Sequence, residues 1–194
     1  GLRVLVMSAT LDTVRVSKLL DDAPVIEAGG RMFPVDLRYL APKADARLDE
    51  SVANAVLLAL SETTGDVLAF LPGAREIRWT RRRIEARAPD IAVRPLYGEL
   101  SSAEQDLALT PDAQGRRKVI LATNIAQTSL TVEGVSSVVD GGYVRVARFD
   151  LGAGANRLET LRVSRAAAEQ RAGRAGRLGP GIAYRCWSQD QQGA

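Results

Sequence analysis

Short apolar runs alternate along the chain with longer stretches in which apolar residues recur at helical spacing. The runs that predict buried strands are residues 2–7, 35–40, 66–70, 91–96, 118–122, 135–139 and 182–187, with a further candidate at 24–27. The helical patterns cover residues 13–20, 50–61, 74–88, 101–109 and a segment that begins near residue 166. This alternation predicts an α/β fold, with a mostly parallel sheet and helices on both of its faces.

Turn and capping residues indicate where some of these elements begin and end. Ser101 and Glu104 have the spacing of a capping box at a helix start. Two apolar and basic runs, residues 143–149 and 157–163, flank a glycine-bearing turn at residues 152–154 and predict a β-hairpin. Residues 29–34, Gly-Gly-Arg-Met-Phe-Pro, have the composition of a linker between domains.

Composition excludes several kinds of chemistry. The chain has 194 residues, no histidine and one cysteine, Cys186. Histidine-dependent nucleophile systems, His-ligated metal sites and multi-thiolate metal sites are therefore excluded within it, and we expect no metal site. The most apolar stretch, residues 52–60, is interrupted by Asn54 and is too short to cross a bilayer. We expect a cytoplasmic protein with no membrane contact, and a chain that begins at Gly1 inside an apolar run is expected to be a fragment of a longer one.

The positive charge consists almost entirely of arginine. Of 26 basic residues only Lys18, Lys43 and Lys118 are lysine, yet the formal net charge is +3. The planar guanidinium fork suits phosphate and carboxylate groups. Genome base composition explains a bulk arginine excess equally well, so each arginine has to be judged by its position.

The segment QRAGRAGR at residues 170–177 carries the clearest chemical signal. On a helix, Gln170, Arg174 and Arg177 are spaced i, i+4 and i+7 and share one face. Gly173 and Gly176 each cost a helix roughly 1 kcal/mol relative to alanine, which favours a role other than helix stability. We interpret them as small residues that let the backbone and the guanidiniums approach a polyphosphate. The alternative is a solvated basic helix end.

Two hydroxyl-rich segments follow predicted strands. ATNIAQTSLT, residues 122–131, comes directly after the strand that ends at Leu121, and MSAT, residues 7–10, ends the first strand. In open α/β sheets, ligands bind outside the carboxyl ends of the strands. These hydroxyls can donate to phosphate oxygens. The alternative for residues 122–131 is an ordinary Ser/Thr loop that caps the next turn.

Taken in order, MSAT, LAFLPGAREI, ATNIAQTSLT and QRAGRAGR resemble motifs III, IV, V and VI of superfamily two helicases. The resemblance is to the DEAH/RHA group of ATP-dependent RNA helicases and, from PLYG at 95–98, ARFD at 147–150 and PGIAYR at 180–185, to its bacterial HrpB-type branch. It implies two RecA-like domains that clamp ATP and grip single-stranded RNA. Residues 1–27 would end the first domain, 28–34 link the two, 35–187 form the second and 188–194 begin the following region.

The resemblance also implies roles for individual residues. Arg174 and Arg177 resemble arginine fingers that reach the γ-phosphate of ATP, and Gln170 resembles the motif VI glutamine that helps order the phosphate and the attacking water. The remaining expected positions are the RNA-backbone contacts Thr123, Asn124 and Ser129, the nucleotide contacts Thr131 and Glu133, and the coupling hydroxyls Ser8 and Thr10. The hairpin is similar to one used as a wedge beside RNA, with Arg145, Arg148 and Arg157 as candidate contacts, although solvated charge is as good an account of each.

Departures from the family pattern limit these expectations. Gln127 stands where this group usually has glutamate, and Leu109 ends a helix near which some relatives place an aromatic residue that stacks on the base. Poor discrimination among nucleoside triphosphates follows from the second departure. The sequence has no phosphate-binding G-x-x-x-x-G-K-[ST] loop and no Asp-Glu-x-His motif. We therefore expect Mg²⁺ and ATP to be held mainly by the first domain, and the chain alone to be inactive. The alternative is a non-catalytic RNA-binding or regulatory module with a helicase-derived fold.

Overall fold

The computed structural model describes Val6 and residues 13–26, 33–128, 132–150, 152 and 154–191. The chain divides into two compact units, Gly1–Arg31 and Met32–Ala194. In the described part of the first unit, helix α1 spans Thr13–Leu19, as predicted. Residues 24–26 are irregular, so the candidate strand there is wrong for that part. The predicted strand at 2–7 and residue 27 lie outside the described residues, apart from Val6.

A six-stranded parallel sheet forms the second unit. Its strands are β1 (Val35–Tyr39), β2 (Asp66–Phe70), β3 (Ala92–Leu96), β4 (Lys118–Ala122), β5 (Val135–Asp140) and β8 (Gly181–Arg185). Their spatial order is β1-β8-β5-β2-β4-β3. The parallel register pairs Ala69 with Leu121 on one side and with Val139 on the other. The predicted α/β fold with a mostly parallel sheet is confirmed.

Helices cover both faces of this sheet. They are α2 (Leu48–Glu62), α3 (Ala74–Glu85), α4 (Ser102–Leu109), α5 (Ile125–Thr128) and α6 (Arg165–Ala172). Side chains of α2 and α3 pack with Val67, Ala69 and Leu121 on one face. Alanines of α4, α5 and α6 pack with Leu68, Phe70 and other strand residues on the opposite face. Successive residues of each strand thus enter different cores, which explains why these strands are continuously apolar.

Local sequence signals account for several element boundaries. The side chain of Ser101 accepts from the backbone N–H of Glu104, and the Glu104 carboxylate accepts from the Ser101 N–H at 2.9 Å, which completes the predicted capping box. Pro95 lies in β3, an edge strand, where its missing N–H leaves no central ladder bond unmade. The predicted helix 74–88 ends earlier, at Glu85, and the predicted strand 182–187 is Gly181–Arg185.

The predicted hairpin forms a separate two-stranded antiparallel sheet. Its strands are β6 (Tyr143–Asp150) and β7 (Ala155–Arg162), with Arg148 opposite Arg157. Arg145 forms an ion pair with Glu76 of α3, with Arg145 Nη2 at 3.4 Å from Glu76 Oε2. This contact ties the base of the hairpin to the helix that follows β2.

Candidate functional site

The carboxyl ends of the strands form one edge, and two of the predicted contact residues lie there. Thr123 follows β4 directly and its N–H donates to the Leu96 carbonyl at 3.1 Å, next to the end of β3. Asn124 is exposed, and its carbonyl accepts from the Gln127 N–H at 2.9 Å to start the single turn of α5. Ser129 and Thr131, also predicted for this loop, and Ser8 and Thr10 lie outside the described residues. Glu133 is exposed in a turn before β5.

The segment at residues 170–177 is not one continuous α-helix. Helix α6 ends at Ala172 and continues as a 3-10 turn, Gly173–Gly176. The expected α-helical i, i+4, i+7 face through Gln170, Arg174 and Arg177 is therefore wrong. A 3-10 turn has three residues per turn rather than 3.6, so the tighter winding changes the directions of Arg174 and Arg177 relative to Gln170.

Arg174 is a buried arginine fixed by the loop after β4. Only 6% of the residue is exposed. Its Nε donates to the backbone carbonyl of Gln127 at 3.0 Å, and its Nη2 donates to the same oxygen. Two donors from one fork on one carbonyl orient the guanidinium, so its side chain has little freedom left to lose when it meets a ligand.

Arg177 places a second positive charge next to Arg174. Both line one small cleft, together with Leu68, Val132 and Val135. Burial and the positive charge of Arg177 lower the pKa of Arg174 to about 10, so the guanidinium still carries its charge at neutral pH. The exposed guanidinium of Arg177 beside the buried guanidinium of Arg174 concentrates positive charge at one place, which attracts an anion.

Gln127 connects the residues of this site. Its side-chain amide donates to the Gln170 side-chain oxygen at 3.0 Å. Its own side-chain oxygen accepts from Arg171 Nε at 3.4 Å. With its carbonyl on Arg174, Gln127 therefore contacts three successive polar positions of the 170–174 segment. The sequence marked Gln127 only as a departure from the family pattern. It gave no sign that this residue joins α5 to α6 and to the 3-10 turn that follows α6.

Arg171, which the sequence did not single out, is the most buried of these arginines. It is 1% exposed and its Nη1 donates to Asp140 Oδ1 at 2.8 Å, at the end of β5. Its guanidinium lies 4.8 Å from the ring centre of Phe70. Burial raises the pKa of Asp140 above its ordinary value, while the charge of Arg171 opposes that rise. Asp140 Oδ1 also accepts from the Gly142 N–H at 2.8 Å. The pair anchors α6 to the sheet.

Gly176 has a structural cause that differs from the one expected. A Cβ placed there would lie 2.5 Å from the carbonyl oxygen of Phe33 and 2.8 Å from Val35 Cγ2. The Phe33 N–H donates to the Gly176 carbonyl at 2.9 Å, so the two backbones run in contact. This close approach of the chain to itself is sufficient to explain the glycine, whereas its role as room for a polyphosphate stays a prediction.

The hairpin arginines are in different situations. Arg145 is paired with Glu76, and Arg148 lies 3.5 Å from Glu159 across the hairpin. Arg157 is exposed. Leu109 is the second departure from the family pattern. It is half-buried against the core, so it offers no exposed apolar surface comparable to an aromatic ring on which a base could stack.

Neither a metal centre nor a membrane span emerges from the described ranges. Within residues 13–26, 33–128, 132–150 and 154–191, no three Asp, Glu or Cys side chains are grouped closely enough to hold a metal ion. Among the helices described, none combines the length and apolar character that spanning a bilayer requires.

The chain therefore joins a parallel α/β sheet to a buried arginine that is bound to the backbone of the segment after β4 and lies beside a second arginine. The chain matches the family described as "Helicase conserved C-terminal domain" over residues 49–179, and it belongs to that family. This match confirms the class of protein that the motifs indicated.

Two relatives that match the chain over nearly its whole length are RNA helicases. The chain is 49% identical over 98% of its length to the ATP-dependent RNA helicase HrpB of Escherichia coli K12. It is 39% identical over 97% of its length to the pre-mRNA-splicing factor ATP-dependent RNA helicase prp22 of Schizosaccharomyces pombe. It spans 24% and 17% of these two proteins. The resemblance to DEAH/RHA helicases of HrpB type is confirmed.

Solved structures agree with this placement. Two crystal structures of Escherichia coli HrpB, one described as a DExH-box NTPase and one as a DEAH/RHA helicase, superpose with TM-scores of 0.85 and 0.87 at 49% identity. Each match covers 96% of this chain and 23% or 24% of the other. The RecA-like fold expected for the second unit is confirmed.

Proposed function

We propose that this chain is the second RecA-like half of an ATP-dependent RNA helicase, one that completes an ATPase site with arginine fingers and holds single-stranded RNA by its backbone. The relatives it matches are ATP-dependent RNA helicases, and it spans about a quarter of the first of them. The activity of the full-length protein, its cytoplasmic setting and its partners, RNA and a first RecA-like domain, belong to this proposal.

The state of Arg174 is the observation that carries the proposal. The guanidinium of Arg174, a residue only 6% exposed, is oriented by the Gln127 carbonyl and lies next to the like charge of Arg177. Holding a buried cation beside a like charge costs stability, whereas an oriented pair of guanidiniums is well suited to an incoming polyphosphate. The γ-phosphate of ATP is the anion that we assign to this pair.

The chemistry assigned to this half-site is electrostatic. Arg174 and Arg177 stabilise the charge that develops on the transferred phosphoryl group, an effect worth about 10³–10⁵ in rate where fingers have been measured. Gln170, held by Gln127, orients the phosphate and the attacking water. Thr131 and Glu133 contact the ribose side of the nucleotide, and Mg²⁺ is held mainly by the first domain.

RNA contacts are assigned to the sheet edge. Thr123, Asn124 and Ser129 bind phosphate oxygens of the strand, which positions RNA without selecting its sequence. Gln127 lies between these residues and Arg174, so RNA at the loop and ATP at the finger act on the same short segment. Ser8 and Thr10 transmit the nucleotide state to the first domain.

ATP turnover by an Arg174→Ala variant of the full-length protein tests the proposal. We expect RNA-stimulated turnover to fall by at least about 10³, with RNA affinity nearly unchanged. Arg165→Ala is the matched control, because Arg165 is an exposed arginine at the start of α6, ahead of the 3-10 turn that carries Arg174, and is paired with Glu169 at 3.2 Å. Near-normal turnover in Arg174→Ala would favour a non-catalytic RNA-binding module instead.

A further inference from the structure

Helix α3 carries a band of arginines that the site described above does not use. Five of its twelve residues are arginine and two are glutamate. Glu76 is buried and paired with Arg75 and Arg145, and Glu85 is paired with Arg81. Arg83 is paired with Asp49 of α2. Each carboxylate of the helix is thus already engaged, which leaves a surplus of positive charge on its outer side.

Arg75, Arg78 and Arg82, here called the α3 basic face, form one line. Their spacing is i, i+3 and i+7, so they lie on the side of the helix opposite Ile77 and Ile84, which enter the core. At 1.5 Å per residue they extend about 10 Å along the helix. All three are exposed, and among the described residues neither Arg78 nor Arg82 has an ion-pair or hydrogen-bond partner.

An aromatic ring restricts the α3 basic face at its amino-terminal end, at Arg75. The guanidinium of Arg75 lies 5.0 Å from the centre of the Trp79 ring, and that of Arg47 lies 4.4 Å from the same ring. Stacking on a common ring restricts two long side chains that would otherwise move freely in solvent. The positive charge is therefore partly ordered before any ligand arrives.

The face begins at the edge to which we assign RNA. Helix α3 starts immediately after Gly73, and the Leu71 N–H just before it donates to the Ala122 carbonyl at 2.8 Å. Ala122 is followed by Thr123 and Asn124. Arg75 thus lies in the first turn of α3, five positions after Phe70 at the end of β2, and Arg78 and Arg82 continue along the helix away from the edge.

The chemistry of the surface favours nucleic acid over protein. Protein interfaces are built around a buried apolar centre, and among the large hydrophobic side chains exposed in the described residues none is on α3. Exposed arginine forks suit repeated phosphate groups, which they contact in pairs of hydrogen bonds.

We propose that the α3 basic face binds the phosphate backbone of the RNA strand after the strand leaves the sheet edge, so that long RNA is held at both places. The proposal rests on the proposed function for the edge contact. It differs from that function in its prediction, because only RNA long enough to pass the edge can reach Arg78 and Arg82.

The test is fluorescence anisotropy of the full-length protein with labelled oligouridylates of about 6 and about 20 nucleotides at matched salt. Arg78→Glu combined with Arg82→Glu should weaken binding of the long RNA about 5- to 30-fold and lower the slope of log affinity against log salt by about 1 to 1.5. Binding of the short RNA should stay the same. Lys43→Glu with Arg165→Glu, an equal change in charge elsewhere, should leave both affinities within about twofold.

Unchanged affinity for long RNA in the α3 variant would overturn the proposal, as would an equal loss for both RNAs or in the control. Loss of binding to a polyglutamate peptide with RNA binding intact would assign the face to an acidic protein instead and overturn it too. Asn124→Ala separates the two proposals, because it should weaken binding of the short RNA. Short-RNA affinity that is insensitive to Asn124→Ala contradicts the edge contact, whereas the loss confined to long RNA tests α3.

Discussion

The buried ion pair between Arg171 and Asp140 makes a sharp prediction about stability. The two side chains are 1% and 3% exposed and join at 2.8 Å. Removing one partner of such a pair leaves the other as a buried, uncompensated charge, which costs about 3–5 kcal/mol. Arg185 is also buried and lies close enough to lower the pKa of Asp140, so part of the charge on Asp140 stays compensated. For Arg171→Met we therefore expect the lower end of that range, about 3 kcal/mol.

A second substitution isolates the electrostatic origin of this cost. Asp140→Asn alone should destabilise the protein, because Arg171 loses its carboxylate. In the Arg171→Met background the same change should restore stability, because it removes the charge that had become uncompensated. The side-chain oxygen of the asparagine can still accept from the Gly142 N–H, as Asp140 Oδ1 does at 2.8 Å, so the turn after β5 is preserved.

The raised pKa of Asp140 also fixes the direction in which the stability of the protein changes with pH. Burial raises the pKa of Asp140 in the folded state above the ordinary 3.8, so the folded protein binds this proton more tightly than the unfolded chain does. Stability contributed by this group therefore falls as pH rises through the folded pKa. Without Arg171 the pKa of Asp140 should rise further, because the opposing positive charge is gone. The loss of stability in Arg171→Met relative to the native chain should therefore become smaller as the pH is lowered from neutral toward the ordinary pKa of a carboxyl group.

Urea unfolding followed by circular dichroism measures each step, and thermal unfolding offers a second measurement. For a domain of this size, about 3 kcal/mol corresponds to a fall in Tm of roughly 6–12 °C. A loss of less than about 1 kcal/mol in Arg171→Met, or equal destabilisation by Asp140→Asn in both backgrounds, would contradict an electrostatic origin of the cost.

Two further predictions test packing and RNA contact. Gly176→Ala should cost about 1–3 kcal/mol, because its Cβ would meet the Phe33 carbonyl oxygen at 2.5 Å, and thermal unfolding should show no comparable loss for Gly179→Ala, where no atom lies within 4 Å of the added carbon. An equal effect at both glycines would contradict this account. Ser129→Ala should weaken binding of single-stranded RNA several-fold in anisotropy titrations, and unchanged affinity at matched salt would argue against its backbone contact.

Strand and helix periodicity predicted most of the second unit correctly. Continuous apolar runs such as residues 66–70 and 118–122 are strands buried on both faces, and the capping residues Ser101 and Glu104 fixed a helix start to the residue. These features depend on neighbours in sequence, so they can be recognised without knowledge of the fold. The strand expected at 24–27 is wrong for residues 24–26, which are irregular, because so short an apolar run is a weak signal for a strand.

The candidate site was only partly predictable, because its key contacts join residues distant in sequence. Arg174 was singled out from its spacing, but its hydrogen bonds to Gln127 cross 47 positions and end on a backbone carbonyl, which no side-chain pattern reveals. The pair of Arg171 with Asp140 crosses 31 positions. Gly176 was assigned to a ligand because the approach of Phe33 depends on how the chain folds back on itself.

The assignment of Arg174 is tested most directly by affinity for a transition-state analogue. With ADP and aluminium fluoride, the full-length protein bound to RNA should form a complex that Arg174→Ala weakens by at least about 10², while affinity for ADP alone changes little. That result would place the arginine on charge that develops during phosphoryl transfer. Equal affinity of the native protein and the variant for the ADP–aluminium fluoride complex would contradict the account.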